Sequence, residues 1–427
     1  MPAVLHRGAA QRRRPGRMMR RLLPALLLFA LGCSDDAEPT PPAGPAQEAP
    51  PAPPPIAFVE GAKEAGIDFR MRFLEGEQGE NFKINLYDHG SGVAVADYDG
   101  DGDDDIYLLN QLGPNALYRN DGKGRFTDVT AEAGPLALAD RICVFAVFND
   151  VDGDGDQDLY VTSTRGGNVF LRNTGQGRFV DATEEAGLAW VGHCQSATFF
   201  DADGDGDLDL LLTNTARWTT ETLHGDGYYT GAQDIVQLIL SPVETNVFYT
   251  NDGDGTFTDA TEESGLKGEG WGGDTAVLDY DDDGDQDVFV GNMFGRSVLY
   301  GNDGKGRFED VTREVLGKTP FGTVGAKVFD YDGDGRLDLY VVDMHSDMWM
   351  PAPFDLGEIE EKKKYPRFFG PRIPGKHYPI VLEDLFNEKY QLDVKLVFYG
   401  NGLYRNRGDG TFDETSDAAG AETFWPW

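Results

Sequence analysis

Positive charge is what this chain has little of: 37 Lys+Arg stand against 74 Asp+Glu in 427 residues, a formal charge of −37. Seven of those cations (Arg7, Arg12, Arg13, Arg14, Arg17, Arg20 and Arg21) precede residue 33, where there is no acid, and without them the charge falls to −44. Nucleic acid and anionic membrane surfaces are poor partners for such a chain. Long apolar runs are also lacking. The run at residues 22–31 has ten residues, too few to span a bilayer. With only 3 cysteines, the pairing open to the chain beyond residue 33 is Cys143 with Cys194, and export would permit it. No nucleophile, base and orienting group recur in any defensible arrangement, which argues against an enzyme. What the chain does have is size for one large or two ordinary domains. An aromatic content of 11% supplies apolar surface that disordered acidic chains lack. Acids in such excess are then best read as positioned ligands for cations.

The basic residues 1–21, the apolar run and the sequence Ala30-Leu31-Gly32-Cys33 resemble a bacterial lipoprotein signal, in which Cys33 becomes the lipidated first residue. An ordinary secretory signal is the alternative. Residues 34–55 contain nine prolines in 22 positions and read as an extended tether of about 3.1 Å per residue. The expected location is the outer membrane or cell surface through a lipid anchor, with a periplasmic or secreted form as the alternative.

Beyond the tether the sequence repeats itself. DYDGDGDDD at Asp97, DVDGDGDQD at Asp150, DADGDGDLD at Asp201, DYDDDGDQD at Asp279 and DYDGDGRLD at Asp330 match one template, with spacings of 53, 51, 78 and 51. A second phrase follows each loop and carries Phe126, Phe179, Phe257, Phe308 and Phe412. The distance from loop to phenylalanine is 29 residues in units one, two and four, 56 in unit three and 82 in unit five. Units three and five therefore carry insertions, at residues 215–244 and 344–395. Within a unit, GVAVADY, DIYLLN, NALYRN and GRFTDVT predict a four-stranded antiparallel sheet. A small sheet with two apolar faces must pack on its neighbours, so the expected fold class is all-β, a β-propeller whose domain covers residues 56–427.

These phrases, with FVEGAKEAG at Phe58, resemble the FG-GAP/VCBS repeat proteins, and more closely the cartilage acidic protein group and its bacterial relatives. The resemblance implies a ring of about seven blades. Five full repeats are present, and a sixth loop is due near position 434, so the chain is expected to be part of a larger ring, a ring closed around the five units being the alternative; Phe58 and its neighbours would supply the last strand of the closing blade.

The loop pattern DxDxDGxxD places hard oxygens at positions 1, 3, 5 and 9, with a carbonyl at position 7 and a glycine at position 6 for the sharp turn, a set that suits calcium. The candidate ligand positions are Asp97, Asp99, Asp101, Asp103 and Asp105; Asp150, Asp152, Asp154, Asp156 and Asp158; Asp201, Asp203, Asp205, Asp207 and Asp209; Asp279, Asp281, Asp283, Asp285 and Asp287; and Asp330, Asp332, Asp334, Arg336 and Asp338. Up to five calcium ions are expected. Position 12 is apolar (Leu108, Val161, Leu212, Val290, Val341), which excludes EF-hands, and structural ions that stiffen the first hairpins are the favoured role.

If the loops join first and second strands, both insertions emerge at the opposite end, where recognition is expected. Trp218, His224, Tyr228 and Tyr229 are the candidate partner contacts, joined by Trp349, Phe354, Phe368, Phe369, His377 and Tyr378. His89, His193, Cys143 and Cys194 are expected at that end too, around the channel mouth. The favoured function is an exported calcium-binding scaffold for a protein or glycan. The alternative is a calcium-dependent polysaccharide lyase or hydrolase.

Overall fold

Short β-branched and aromatic runs bounded by Asp, Gly and Asn turns favour hairpins over helices, and the computed structural model of the protein is built from such hairpins. It describes residues 58–72, 91–217, 219–223, 229–231, 242–268, 270–344, 396–398 and 400–421. Contacts divide the chain into Met1–Val59 and Glu60–Trp427, and every strand among the described residues lies in the second unit.

Blade one is β1 (Val93–Ala96), β2 (Asp105–Leu108), β3 (Ala116–Asn120) and β4 (Phe126–Asp128). Blade two is β5 (Ile142–Asn149), β6 (Asp158–Arg165), β7 (Val169–Asn173) and β8 (Phe179–Asp181). Blade three has β9 (Cys194–Phe200), β10 (Asp209–Asn214), β13 (Val247–Asn251) and β14 (Phe257–Asp259), with a separate hairpin of β11 (Thr219–Leu223) and β12 (Tyr229–Gly231) between its second and third strands. Blade four is β15 (Trp271–Leu278), β16 (Asp287–Phe294), β17 (Val298–Asn302) and β18 (Phe308–Asp310). Blade five is β20 (Thr323–Phe329), β21 (Asp338–Asp343), β23 (Gly402–Asn406) and β24 (Phe412–Glu414). Before it, β19 (Thr319–Pro320) pairs in parallel with β22 (Val397–Phe398). Each blade is an antiparallel meander of four strands. The register is the same in all five: the residue before the first loop aspartate faces the ninth, as in Ala96 with Asp105 and Phe329 with Asp338.

The blades of this β-propeller stack face to face, and each pair shares one core. Leu159, Val161, Leu171 and Phe179 of blade two meet Tyr107, Leu117 and Leu136 of blade one. Equivalent cores join blades two and three, three and four, and four and five. Tyr98 of the first acidic loop stacks on Phe179, ring centroids 6.0 Å apart, and burial of an aromatic side chain of this kind is worth about 1.5–3 kcal/mol. After the fourth strand of blades one to four a local bracket recurs: Asp128 Oδ1 accepts from the Thr130 amide and hydroxyl, while Thr130 Oγ1 accepts the Leu117 N–H. Thr183, Thr261 and Thr312 repeat it. That is why the phrase reads Asp-x-Thr.

One face is open. Val93 and Val95 of β1 are 58% and 55% exposed, whereas Ala146 and Phe148 at the same positions of blade two are 5% and 8% exposed.

Candidate metal centres

In each loop the first aspartate curls the chain around itself. Asp97 accepts the N–H groups of Asp101 (3.0 Å) and Gly102 (2.8 Å), and Asp101 accepts that of Asp103 (3.0 Å). These bonds shape the turn from side-chain to backbone contacts within five residues. Position 4 lies in the left-handed region, and four loops place glycine there, including Gly100 at φ 74°. Loop four instead holds Asp282 at φ 62°.

The ninth aspartate works differently. Asp209 is buried and accepts N–H groups with both oxygens, from Asn251 and Ala202, each at 2.9 Å. Asp105, Asp158, Asp287 and Asp338 do the same with their own strands. Burial pushes Asp105 and Asp209 up to about 6 and Asp158 and Asp287 up to about 7, against the backbone bonds that favour the charge.

Five groups of carboxylates result, each with one oxygen per residue within 4.8 Å of the others: Asp97, Asp99 and Asp101; Asp150, Asp152 and Asp154; Asp201, Asp203 and Asp209; Asp279, Asp281 and Asp287; Asp330, Asp332 and Asp338. Asp99 Oδ1, Asp150 Oδ1 and Asp152 Oδ1 are buried with no hydrogen-bond partner. Burial, followed by the carboxylate at position 5, raises Asp99, Asp152, Asp203 and Asp281 above the ordinary aspartate range. A cation among these oxygens would fill the orphaned lone pairs and remove the repulsion. An all-oxygen, all-anionic donor set fits a hard divalent ion.

Position 7 points elsewhere. Its side chain lies over the turn between the third and fourth strands, where a Cβ on Gly122 would collide with the Asp103 carboxylate and one on Gly408 would crowd the Arg336 stem. The sequence reading also missed the asparagine that closes each third strand. Asn173 Nδ2 donates to the Tyr98 carbonyl of the preceding blade's loop at 2.8 Å, Asn251 to Val151 at 3.0 Å and Asn302 to Ala202 at 2.7 Å. Each of these loops is thus fastened by the next blade. The recurrence of Asn at the end of ALYRN, VFLRN, VFYTN, VLYGN and GLYRN was the available signal.

The other sequence candidates are placed unevenly. Cys143 and Cys194 are buried free thiols: Asn115 Nδ2 donates to Cys143 Sγ at 3.3 Å, and Cys194 Sγ reaches the Ser196 carbonyl at 3.7 Å. His193 is 1% exposed and bound to Glu244, whose Oε2 lies 3.3 Å from Nδ1. Although desolvation alone would raise it, Glu244 is held down at about 2 by His193 and Arg217. Arg217 N–H donates to the Pro242 carbonyl and Glu244 N–H to the Thr215 carbonyl, so the base of the first insertion is pinned. Among the described residues, the groups able to hold a metal are the five aspartate sets, and none uses these Cys or His residues. Tyr229 begins β12. Cys33, His89, Trp218, His224, Tyr228 and the aromatic residues at 345–395 lie outside the described residues.

The FG-GAP-like repeat family matches residues 97–147, 150–212, 230–290 and 279–341. The chain belongs to that family. As an FG-GAP-like repeat protein it is 26% identical to cartilage acidic protein 1 of Xenopus tropicalis over 314 residues, covering 58% of this chain and 47% of the relative. The human protein of that name gives 26% over 308 residues, 58% and 46%. The chain spans about half the length of the curated relatives it matches. Solved structures with similarity include an Agrocybe aegerita protein that recognises non-reducing terminal N-acetylglucosamine (TM-score 0.30, 16% identity, covering 75% of this chain and 77% of that one). A Bacillus licheniformis rhamnogalacturonan lyase gives TM-score 0.33 and 15% identity, covering 60% and 47%. At these TM-scores neither bears on function.

Proposed function

We propose that the protein is an exported, calcium-loaded repeat scaffold that binds a protein or glycan through its inserted segments and is held to a membrane by a lipid on Cys33. The observation that carries the calcium reading is the fivefold recurrence of converging carboxylates at one register of every blade, with buried oxygens left unpaired in the first two loops. Calcium takes six to eight oxygens in flexible geometry, which such loops supply, whereas magnesium demands a tighter octahedron. The recognition part rests on the inserted hairpin of β11 and β12, whose flanks are fixed by Glu244. Rigid scaffolds commonly carry recognition on such loops.

The deciding experiment compares the wild type with a variant lacking residues 218–241 on a glycan array and a panel of matrix proteins, with calcium and with chelator. Binding that needs both calcium and the insertion supports the reading. Binding indifferent to both overturns it. Fatty-acid labelling of the wild type but not of Cys33→Ala tests the anchor.

The open face of blade one supports a ring of more than five blades. We infer that a further four-stranded blade covers Val93 and Val95, as blade one covers Ala146 and Phe148.

A further inference from the structure

The five loops are not equivalent, and the difference lies in two arginines. In blade five, Arg405 Nε donates to Asp332 Oδ2 at 2.6 Å and its NH2 group to Asp334 Oδ2 at 3.2 Å. Arg336, at position 7 of the same loop, pairs with Asp334 through its own guanidinium, which also holds the Asn406 carbonyl at 3.1 Å. The carboxylates at positions 3 and 5 therefore already have counter-ions. The bond to Asp332 also raises Arg405 above its ordinary value.

The position that Arg405 occupies on the third strand varies along the repeat. Blade two has Arg172, whose Nε lies 3.6 Å from Asp152 Oδ2. Blade one has the exposed Arg119, whose charge acts on Asp99 through space. Blades three and four have Thr250 and Gly301, with no cation to offer. Position 7 is aspartate in loops one to four and Arg336 in loop five, while loops one and four each add a further carboxylate, Asp104 and Asp282. The charge available to an ion thus rises from loop five, through loop two, to loops one and three, and is greatest in loop four. Loop affinity for calcium follows ligand charge and spans several decades among oxygen-ligand sites.

We propose that the loops fill with calcium in a set order, loop four first and loop five last, because calcium can enter loop five only by displacing the guanidinium groups of Arg336 and Arg405. This rests on the calcium reading above. Loops one, three and four then act as permanently loaded structural sites. Loop five is a responsive one, held together by arginine when calcium is scarce.

The experiment is a calcium isotherm on the metal-free full chain, paired with terbium emission. Tyr98, Tyr280 and Tyr331 sit at position 2 of loops one, four and five, whereas Val151 and Ala202 occupy that place in loops two and three, so tyrosine-sensitised emission reports loops one, four and five, and the part lost in Tyr331→Phe belongs to loop five. In the wild type the last ion should bind at least about tenfold more weakly than the others, and the late emission should vanish in Tyr331→Phe. In the double variant Arg336→Asp/Arg405→Thr the weak phase should merge with the tight ones. The reciprocal variant Asp207→Arg/Thr250→Arg should lose one tight site from blade three, and it decides the matter if the blade-five variant does not fold. Five indistinguishable sites in the wild type, or a late phase unchanged by Tyr331→Phe, would overturn the order while leaving calcium binding intact. Failure of any ion to bind removes the calcium reading itself.

Discussion

Asn251 in blade three donates its side-chain N–H to the carbonyl of Val151 in the acidic loop of blade two, 3.0 Å away and 100 residues earlier in the chain. The same amide group reaches the Leu208 carbonyl at 3.2 Å, and its oxygen accepts the Gly253 N–H at 3.0 Å. One side chain therefore ties two loops and a turn. Asn251→Ala should cost about 1–3 kcal/mol, since it leaves buried carbonyls unpaired. It should also weaken calcium binding in loop two, although the substitution lies in another blade. Urea denaturation and a calcium isotherm test the two effects; a stability loss with loop two unaffected would confine Asn251 to its own blade.

Chelation should lower the melting temperature sharply. Each site held at a hundred times its dissociation constant adds about 2.7 kcal/mol, so two such sites match the low end of a domain's stability of about 5–15 kcal/mol. Magnesium should rescue poorly, and Asp201→Ala should remove one ion and weaken blade three. A melting curve indifferent to chelator, in protein shown to be metal-free, contradicts the role assigned to the loops.

The metal-free protein should be more stable at pH 5 than at pH 7.5. Asp105, Asp158, Asp209 and Asp287 are raised in the folded state to about 6 or 7, above the aspartate range of an unfolded chain at about 3.9. The folded protein then binds more protons between those values, and stability falls as pH climbs through about 4 to 7. Saturating calcium should remove or invert that slope, because the ion favours the ionised carboxylates. Melting temperatures across this range, with and without calcium, provide the check.

Asp282→Gly should stabilise the metal-free protein by about 1 kcal/mol. A non-glycine residue in the left-handed region costs on the order of 1 kcal/mol or more, partly offset by glycine's greater freedom in the unfolded chain, and the change also removes one of the loop's six carboxylates. Thermal melting in chelator reads the effect, and an unchanged or lower midpoint counts against strain at this position.

Val95→Asp should lower stability by about 1–3 kcal/mol if a further blade covers β1, since a charge would be buried between two sheets. A neutral effect in the intact protein would mean that this face meets solvent.

Within a repeat, the sequence alone determined nearly everything. The acidic loop rests on hydrogen bonds between residues a few positions apart, such as Asp97 with Gly102, and short-range chemistry of that kind is written directly in the local pattern, while the four strands show in their short β-branched and aromatic runs. The blade stack was also legible, because two apolar faces require neighbours. The tertiary structure alone decided what those neighbours do to the loops. Position 9 reads as one ligand among equals, yet burial commits both oxygens of Asp209 to backbone N–H groups. Position 7 reads as a carbonyl donor in every loop, yet in loop five the side chains of Arg336 and Arg405, 69 positions apart, converge on Asp334. Contacts such as Asn251 with Val151, or Glu244 with His193 across 51 residues, depend on which surfaces the packed blades bring together.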